Sequence, residues 1–243
     1  MQIREQDELR WLEAELPGAR AVFTTRHGGV SKEPFTGLNL GTRGGDMTGP
    51  VADNRRRLAA ALGLGDGAAT VTQVHGADLL EADAPDPAWP DPAAVRLEAD
   101  GLHTLTPGLA LMVLVADCLP VAVAGPGGVA MLHCGWRGLA AGIVERGCRA
   151  VEATHAAVGP GIGVDSYEVG DEVLEAFAHL GDVARDDHLD LEAVAVRLLQ
   201  QAGVGTIETA GRDTHAEPEA FYSHRRDGAA TGRQAGLAWI DRG

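Results

Sequence analysis

Basic residues are in short supply in this 243-residue chain, which has 20 lysines and arginines against 35 aspartates and glutamates. The formal net charge is −15 at pH 7, and the isoelectric point is near 4.9. Such a chain has few cations with which to neutralise a phosphate backbone or an anionic lipid surface. The composition therefore argues against a nucleic-acid partner and against a membrane partner.

Long hydrophobic runs are also missing. The longest, residues 109–116, is far shorter than the about 20 apolar residues that span a bilayer. Residues 1–10 carry mixed charges and lack the apolar core of a signal peptide. We therefore expect no transmembrane helix and a cytoplasmic protein.

Cysteines and aromatic residues are scarce as well, with 3 cysteines and an aromatic content of 4%. An odd number of cysteines in a chain of this size is a poor disulfide framework and suits reduced thiols. A catalytic or metal-binding thiolate is therefore worth seeking.

Glycine, in contrast, is abundant at 33 residues, which predicts many tight turns between short elements. Apolar runs bounded by turn residues predict strands over 21–25, 70–74, 109–116, 121–124, 129–133, 206–209 and 237–240, and a further strand ending at Val158. Apolar residues at helical spacing predict helices over 51–64, 139–153, 171–180 and 191–203, the first with Asp53 and Asn54 as cap residues. Residues 82–92, rich in proline and aspartate, predict a dispensable surface loop. Interleaved strands and helices indicate one α/β or α+β domain over residues 1–243, with mixed sheets.

Three predicted strands end at a residue that can bind a metal ion: His75, Cys118 and His133. Loops at strand ends are where α/β sheets place their ligands, so these side chains could converge. A Cys/His/His set is a normal zinc shell, and three protein ligands leave a fourth position for water or substrate. The separations along the chain do not form a compact zinc motif, so a hydrogen-bonded His75 and a buried, packing Cys118 stay open as alternatives.

The other two cysteines are interpreted as structural. Cys134 follows His133 directly, and neighbouring side chains of an extended strand point to opposite faces. Cys148 lies in the middle of a predicted helix, where a buried thiol packs as a small apolar group.

Short sequence blocks are spread in order over nearly the whole chain: FTTRHGGVS (23–31), QVHG (73–76), ADG (99–101), ADCLP (116–120), HCGWRG (133–138), GPGI (159–162), FYSHRRDG (221–228) and TGR (231–233). Their order and spacing resemble the laccase-domain family, also called multicopper polyphenol oxidase and, in bacteria, peptidoglycan editing factor.

The resemblance implies a single-domain α/β/β/α layered sandwich with mixed sheets. It also implies a zinc centre in which His75, Cys118 and His133 are both the metal ligands and the catalytic residues. The activity it implies is phosphorolysis of the purine nucleosides adenosine, inosine and methylthioadenosine, together with adenosine deamination, by a monomer whose partners are these small molecules and phosphate.

Two features depart from the family's pattern or its name. Asp213 stands before Thr214, where similar proteins commonly carry a cysteine, so no thiol role is assigned there. A copper oxidase needs a histidine-rich multinuclear site. Of the 9 histidines in the chain, only His75 and His133 occupy positions that converge by this interpretation, so a copper polyphenol oxidase is the weaker hypothesis.

Phosphorolysis requires a phosphate held against the anomeric carbon, and the planar guanidinium of arginine binds phosphate oxygens in a bidentate fork. Arg55 is the first candidate for this role, with Arg137 and Arg26 behind it. The alternative for Arg55 is a solvated helix face shared with Arg56 and Arg57.

Three other residues are considered for the substrate. Asn39 is a candidate for a hydrogen bond to the ribose or base, with a turn residue as the alternative. Gln73 lies two residues before His75 and would share its strand face, unless it serves the backbone. Trp136 is interpreted as packing rather than as a platform for the base.

Two further functions use the same residues. In a hydrolase acting on peptidoglycan precursors, Cys118 would be the nucleophile and His75 or His133 its base. In a non-enzymatic binding protein, zinc would only stabilise the fold, although structural zinc usually has four protein ligands.

Overall fold

The computed structural model describes residues 1–242. Its strands are β1 (Gln2–Gln6), β2 (Leu9–Leu16), β3 (Ala19–Thr24), β4 (Ala68–Thr70), β5 (Leu79–Glu81), β6 (Gly101–Thr104), β7 (Ala110–Val115), β8 (Leu119–Gly125), β9 (Gly128–Cys134), β10 (His155–Val158), β11 (Ala184–Arg185), β12 (His188–Leu189), β13 (Thr206–Thr209) and β14 (Gln234–Ile240). Its α-helices are α1 (Thr48–Leu62), α2 (Trp136–Ala140), α3 (Ile143–Val151), α4 (Asp171–Phe177), α5 (Leu191–Gln201) and α6 (His224–Asp227). Short 3₁₀ helices span Val164–Ser166 and Ala178–Leu180.

Two six-stranded sheets form the centre of the molecule. The first has the order β1-β2-β3-β14-β7-β4, and the second has the order β13-β10-β8-β9-β6-β5. Most neighbours are antiparallel, but β4 with β7, β5 with β6 and β10 with β13 are parallel. Both sheets are therefore mixed, as the sequence predicted.

Alternation of apolar residues along the strands arranges the layers. In β9, Val129 and Met131 face the first sheet, whereas Ala130, Leu132 and Cys134 pack against the helices on the outer face of the second sheet. Helices α3 and α5 cover that outer face, and α1 covers the outer face of the first sheet. The order of layers is α/β/β/α, which confirms the predicted fold class.

Several sequence predictions differ from the structure. The predicted helix over 139–153 is two helices, because the chain turns at Gly142, whose φ is +86°. Helix α1 begins at Thr48 after Met47, so Asp53 and Asn54 are not its caps. Strands β1, β2, β5, β6, β11 and β12 and helix α6 were not predicted. The strand predicted over 70–74 is β4, which ends at Thr70 and does not reach His75. The loop over 82–92 contains no helix or strand, as predicted, and Asp86 attaches it to the rest of the protein through a buried ion pair with Arg96. That the loop is dispensable stays a prediction.

Asn54 has a different role from the predicted cap. Its buried side chain accepts a hydrogen bond from the Val30 amide at 2.8 Å and donates to the carbonyls of Asn39 and Gly37 at 2.8 and 3.2 Å. It thereby ties the glycine-rich loop after β3 to α1. Within the described residues, no helix is both long enough and apolar enough to cross a bilayer.

Candidate metal centre and its two clefts

Strand pairing brings Cys118 and His133 together. Strands β8 and β9 are antiparallel, and their register pairs Leu119 with Cys134 and Pro120 with His133. Cys118 stands immediately before β8, beside the end of β9. His133 has the strand parity of Val129 and Met131, so its side chain lies on the face that looks towards the first sheet, opposite that of Cys134.

His75 reaches the same place from a turn after β4, where its φ is +63°. This left-handed conformation is uncommon for a residue other than glycine. The buried carboxylate of Asp100 holds the turn by accepting hydrogen bonds from the amides of Val74, His75 and Gly76 at 3.2, 2.9 and 2.6 Å. A single side chain therefore fixes the position of the exposed His75.

The three side chains form the one cluster of at least three potential metal ligands in residues 1–242. Their ligand atoms all lie within 4.8 Å of one another, and the rings of His75 and His133 meet edge to face with centroids 4.8 Å apart. Nδ1 of His133 lies 2.8 Å from Oδ1 of Asp100, which leaves Nε2 directed at the cluster. A carboxylate behind a histidine is the usual support of a metal-binding imidazole.

The electrostatics of the cluster favour a thiolate. Burial alone would raise the pKa of the Cys118 thiol, but the charge and hydrogen bonds of His133, with those of His75, outweigh it and lower the pKa to about 6. Burial alone would lower the pKa of His133, but the Cys118 thiolate and Asp100 raise it to about 9. Two imidazoles and a thiolate are donors that suit zinc.

A first cleft of about 230 Å³ opens on one side of the cluster. Its lining contains His75, Cys118 and His133, and it includes four arginines but no aspartate or glutamate. The arginines are Arg43, Arg55, Arg96 and Arg233. Arg96 is paired with Asp86, which lies outside the lining, whereas Arg43, Arg55 and Arg233 have no salt-bridge partner among the described residues. This local excess of positive charge, in a chain whose net charge is −15, favours the binding of an anion.

Arg55 is buried, with only 3% of its surface exposed, so it does not belong to a solvated helix face. Its Nε donates to the Leu40 carbonyl at 2.9 Å, and its guanidinium lies 5.6 Å from the centre of the Trp89 ring. Burial, and then the charge of Arg96, lowers the pKa of Arg55 to about 10, so it stays protonated at neutral pH. An anion bound in the first cleft would favour the charged form of Arg55 and so counteract the effects of burial and of Arg96 on its pKa.

The side chains of Gln73 and Asn39 are both hydrogen-bonded to other residues of the protein. Gln73 lines the first cleft, but its side chain exchanges two 2.8 Å hydrogen bonds with the backbone of Leu114, continuing the pairing of β4 with β7. Asn39 is fully buried and is not in the cleft lining: it donates to Asp46 at 2.8 Å and accepts from the Arg233 amide at 2.8 Å. Asn39 therefore helps to position Arg233, and its contact with substrate stays a prediction.

Arg137 lies elsewhere, in a second cleft of about 230 Å³ that also contains His75 and Cys118. Its guanidinium lies 4.2 Å from the centre of the Trp136 ring, and the guanidinium of Arg225 lies 5.2 Å from that of Tyr167. Arg26 lines neither of these two clefts and packs over Tyr222 at 4.5 Å. Of the three arginines that were candidates for phosphate, Arg55 therefore lines the first cleft, Arg137 lines the second cleft and Arg26 has a structural role.

Sequence reasoning missed several residues of the site. Asp100 and Asp117 are buried, and Asp117 has a φ of +86° beside Cys118. Asp117 accepts hydrogen bonds from Thr214 Oγ1 and from the Arg225 amide, both at 2.7 Å. Both aspartates occur at strand ends in the sequence blocks ADG (99–101) and ADCLP (116–120), and this position could have indicated them. The hydrogen-bond partners of a buried carboxylate, in contrast, become known only from the fold.

Comparison with known proteins gives one family match. Residues 20–241 match the model of a family described as multi-copper polyphenol oxidoreductase laccase. A protein of Deinococcus radiodurans named purine nucleoside phosphorylase is 43% identical over 239 residues, covering 91% of this chain and 89% of that protein. The protein of Escherichia coli named purine nucleoside phosphorylase YfiH is 40% identical, covering 92% and 94%.

Solved structures show the same fold. The crystal structure of the hypothetical protein YfiH of Bacillus licheniformis has a TM-score of 0.87 at 30% identity, covering 98% of this chain and 99% of that one. The crystal structure of YlmD from Geobacillus stearothermophilus has a TM-score of 0.85 at 32% identity, covering 99% of both chains.

Proposed function

This chain belongs to the multi-copper polyphenol oxidoreductase laccase family, and we propose that within this family it is a zinc-dependent purine nucleoside phosphorylase. Its substrates under this proposal are adenosine, inosine and methylthioadenosine. The observation that carries the proposal is the position of the Cys118, His75 and His133 cluster in the wall of a cleft with four arginines and no carboxylate. The names of the relatives in Deinococcus radiodurans and Escherichia coli agree with it.

The donor set fits zinc better than the copper in the family's name. One thiolate and two imidazoles are the ligands of many zinc sites that keep a position open for chemistry. A multicopper oxidase needs a further histidine-rich cluster, and residues 1–242 contain no second group of three potential ligands. When bound, zinc supplies the site with a Lewis acid.

The arginines of the first cleft would hold the phosphate. Arg55 is the main residue of this subsite because its charge is buried and it forms no salt bridge among the described residues, whereas Arg96 is paired with Asp86. An oxygen of hydrogen phosphate forms the bond to the anomeric carbon while the bond from that carbon to purine N9 breaks, with its electron pair going to N9. The proton of hydrogen phosphate ends on the purine, so the products are the free base and ribose 1-phosphate, or 5-methylthioribose 1-phosphate when methylthioadenosine is the substrate.

The proposal includes adenosine deamination as a lesser activity of the same centre. Zinc deaminases pair the metal with a glutamate that moves the proton. Among the described residues, the lining of the first cleft has no glutamate or aspartate, so the residues favour phosphorolysis.

The experiment that tests the proposal incubates zinc-loaded protein with adenosine, with and without inorganic phosphate. We expect adenine and ribose 1-phosphate only when phosphate is present. We also expect a smaller yield of deamination product, which accumulates as inosine without phosphate and is converted to hypoxanthine when phosphate is present. Formation of inosine alone would replace the phosphorylase with a deaminase. Absence of every product, with zinc bound and the protein folded, would reject both activities.

One observation favours a second candidate function, the hydrolase acting on peptidoglycan precursors. Cys118, His133 and Asp100 follow one another in the order of a thiol nucleophile, its base and the carboxylate that orients the base. In that enzyme a metal-free protein would keep its activity, and alkylation of Cys118 would abolish it. The phosphorylase predicts that metal removal alone abolishes turnover.

A further inference from the structure

The second cleft meets the first at the metal cluster and differs from it in chemistry. Of the residues that line the two clefts, only His75, Ala116 and Cys118 are shared. The second cleft extends from these residues between α2 and the start of α6. Both clefts contain arginines, but among the described residues only the second is also lined by the rings of a tryptophan and a tyrosine.

Two stacks of guanidinium on aromatic ring line the second cleft. Arg137 lies over Trp136, and Arg225 lies over Tyr167 and donates from its guanidinium to the Glu168 carbonyl at 2.9 Å. Aromatic rings and arginine planes are the surfaces on which proteins stack nucleobases. The carboxylate of the cleft, Asp117, accepts hydrogen bonds from Thr214 and from the Arg225 amide, and among the described residues it forms no salt bridge with either guanidinium.

Phosphorolysis places particular demands on the relative positions of its two reactants. In a displacement at the anomeric carbon, the attacking phosphate oxygen and the departing purine lie on opposite faces of that carbon. A site for this reaction therefore needs one place for an anion and another for a flat heterocycle, with the sugar between them. Two clefts of different chemistry that meet at one metal cluster provide this division.

We propose that the purine base binds in the second cleft, stacked between the Arg137–Trp136 pair and the Arg225–Tyr167 pair, while phosphate occupies the first cleft. This inference rests on the proposed function. It gives the residues of the second cleft a role that the sequence did not predict for them, since Arg137 was a candidate for phosphate and Trp136 was interpreted as packing. Tyr167, Arg137 and Arg225 then set the affinity for the nucleoside, whereas Arg55 sets the affinity for phosphate.

Tyr167→Leu tests the assignment, because it keeps apolar bulk but removes the ring. Loss of a stacking surface is expected to raise the KM for adenosine by roughly 5- to 100-fold. The KM for phosphate and the zinc content are expected to stay unchanged, because the ring lies outside the first cleft. Tyr167→Phe is the matched control, since it keeps the ring and is expected to keep the KM for adenosine.

A binding measurement separates this inference from the proposed activity. Equilibrium dialysis of zinc-loaded protein against free adenine needs no turnover, and Tyr167→Leu and Arg137→Gln are both expected to weaken adenine binding while Arg55→Ala leaves it unchanged. Thermal unfolding checks that each variant is folded. Wild-type turnover of adenosine together with an unchanged KM in Tyr167→Leu, or a rise in the KM for phosphate alone, would overturn the base site and leave the phosphorylase intact. A wild-type protein that neither binds adenine nor turns over nucleosides would overturn both.

Discussion

Each of the three proposed metal ligands is positioned by a different part of the structure. A metal ion that binds to them must also displace a proton. His133 is oriented by Asp100 at 2.8 Å, His75 by the backbone of a left-handed turn, and Cys118 by its place before β8. Without metal, His133 is protonated up to about pH 9 and Cys118 is a thiolate above about pH 6. This ion pair defines how zinc binding depends on pH.

We expect zinc affinity to fall as the pH is lowered, in two stages. Between pH of about 9 and 6, binding releases the proton of His133, so the affinity falls about tenfold per pH unit. Below pH of about 6, Cys118 also binds a proton and the dependence becomes steeper. Titration with a competing chelator across this range measures the slope, and an affinity that is independent of pH from 6 to 9 would contradict the assigned ion pair.

Arg55 can be tested against its own neighbour on α1. Arg55→Ala is expected to weaken the response to phosphate roughly ten- to hundredfold, which corresponds to the loss of a charged hydrogen bond of about 1.5–3 kcal/mol. Arg56→Ala is the control, because Arg56 is exposed and pairs with Asp53. Phosphate saturation curves of both variants give the answer, and equal curves for Arg55→Ala and the wild type would return this residue to a structural role.

At the scale of elements, the junction between β9 and α2 sets how closely the backbone approaches the metal cluster. Gly135 is the N-cap of α2, and a Cβ there would lie 3.0 Å from Sγ of Cys118 and 3.4 Å from Cδ2 of His75. Its φ of −81° is ordinary for any residue. Space, rather than backbone conformation, therefore requires glycine at this position.

Gly135→Ala is expected to lower zinc affinity about tenfold or more, because the added methyl group displaces the Cys118 thiolate. Gly170→Ala is a matched control, since Gly170 is also a helix N-cap, with φ −79° and ψ 165°, and has no atom within 4 Å of the added Cβ. Zinc titration of the two variants compares them directly. Equal affinities would show that the cluster tolerates the methyl group and that its geometry is looser than described.

The elements that the sequence predicted well are those whose burial follows a simple period. The strand over 109–116 and the helix over 191–203 were recognised from apolar residues alone, and they agree closely with Ala110–Val115 and Leu191–Gln201. Strand β1 was missed because all of its residues are exposed, so it carries no apolar alternation. The break at Gly142 was missed because apolar residues continue at helical spacing on both sides of it.

The site shows the same division between local and long-range information. His75, Cys118 and His133 were chosen because each stands at the end of a predicted strand, although in the structure β4 ends at Thr70 and His75 lies in the turn that follows. Arg55 was chosen from a family resemblance. Asn39 was assigned to the substrate because an exposed amide and one engaged by Asp46 and Arg233 look the same in sequence. Tyr167 was missed because nothing near it in the chain shows that it lies beside Cys118 in the fold.

For the whole molecule, the uneven distribution of charge is more informative about ligand binding than the net charge. The chain carries a net charge of −15, yet four arginines are gathered in the first cleft. We expect a monomer with a mass near 25.2 kDa, because copies with the same strong charge repel one another. Light scattering on eluted protein measures this mass, and a stable particle of twice that mass would contradict the expectation.

The central claim is that a bound zinc ion, and not a free Cys118 nucleophile, is required for phosphorolysis. The direct measurement is adenine release from adenosine and phosphate by the same protein sample before metal removal, after complete removal, and after zinc is restored. We predict that release stops when the metal is removed and returns when zinc is added. Adenine release that continues without any bound metal would contradict the account and favour the cysteine mechanism.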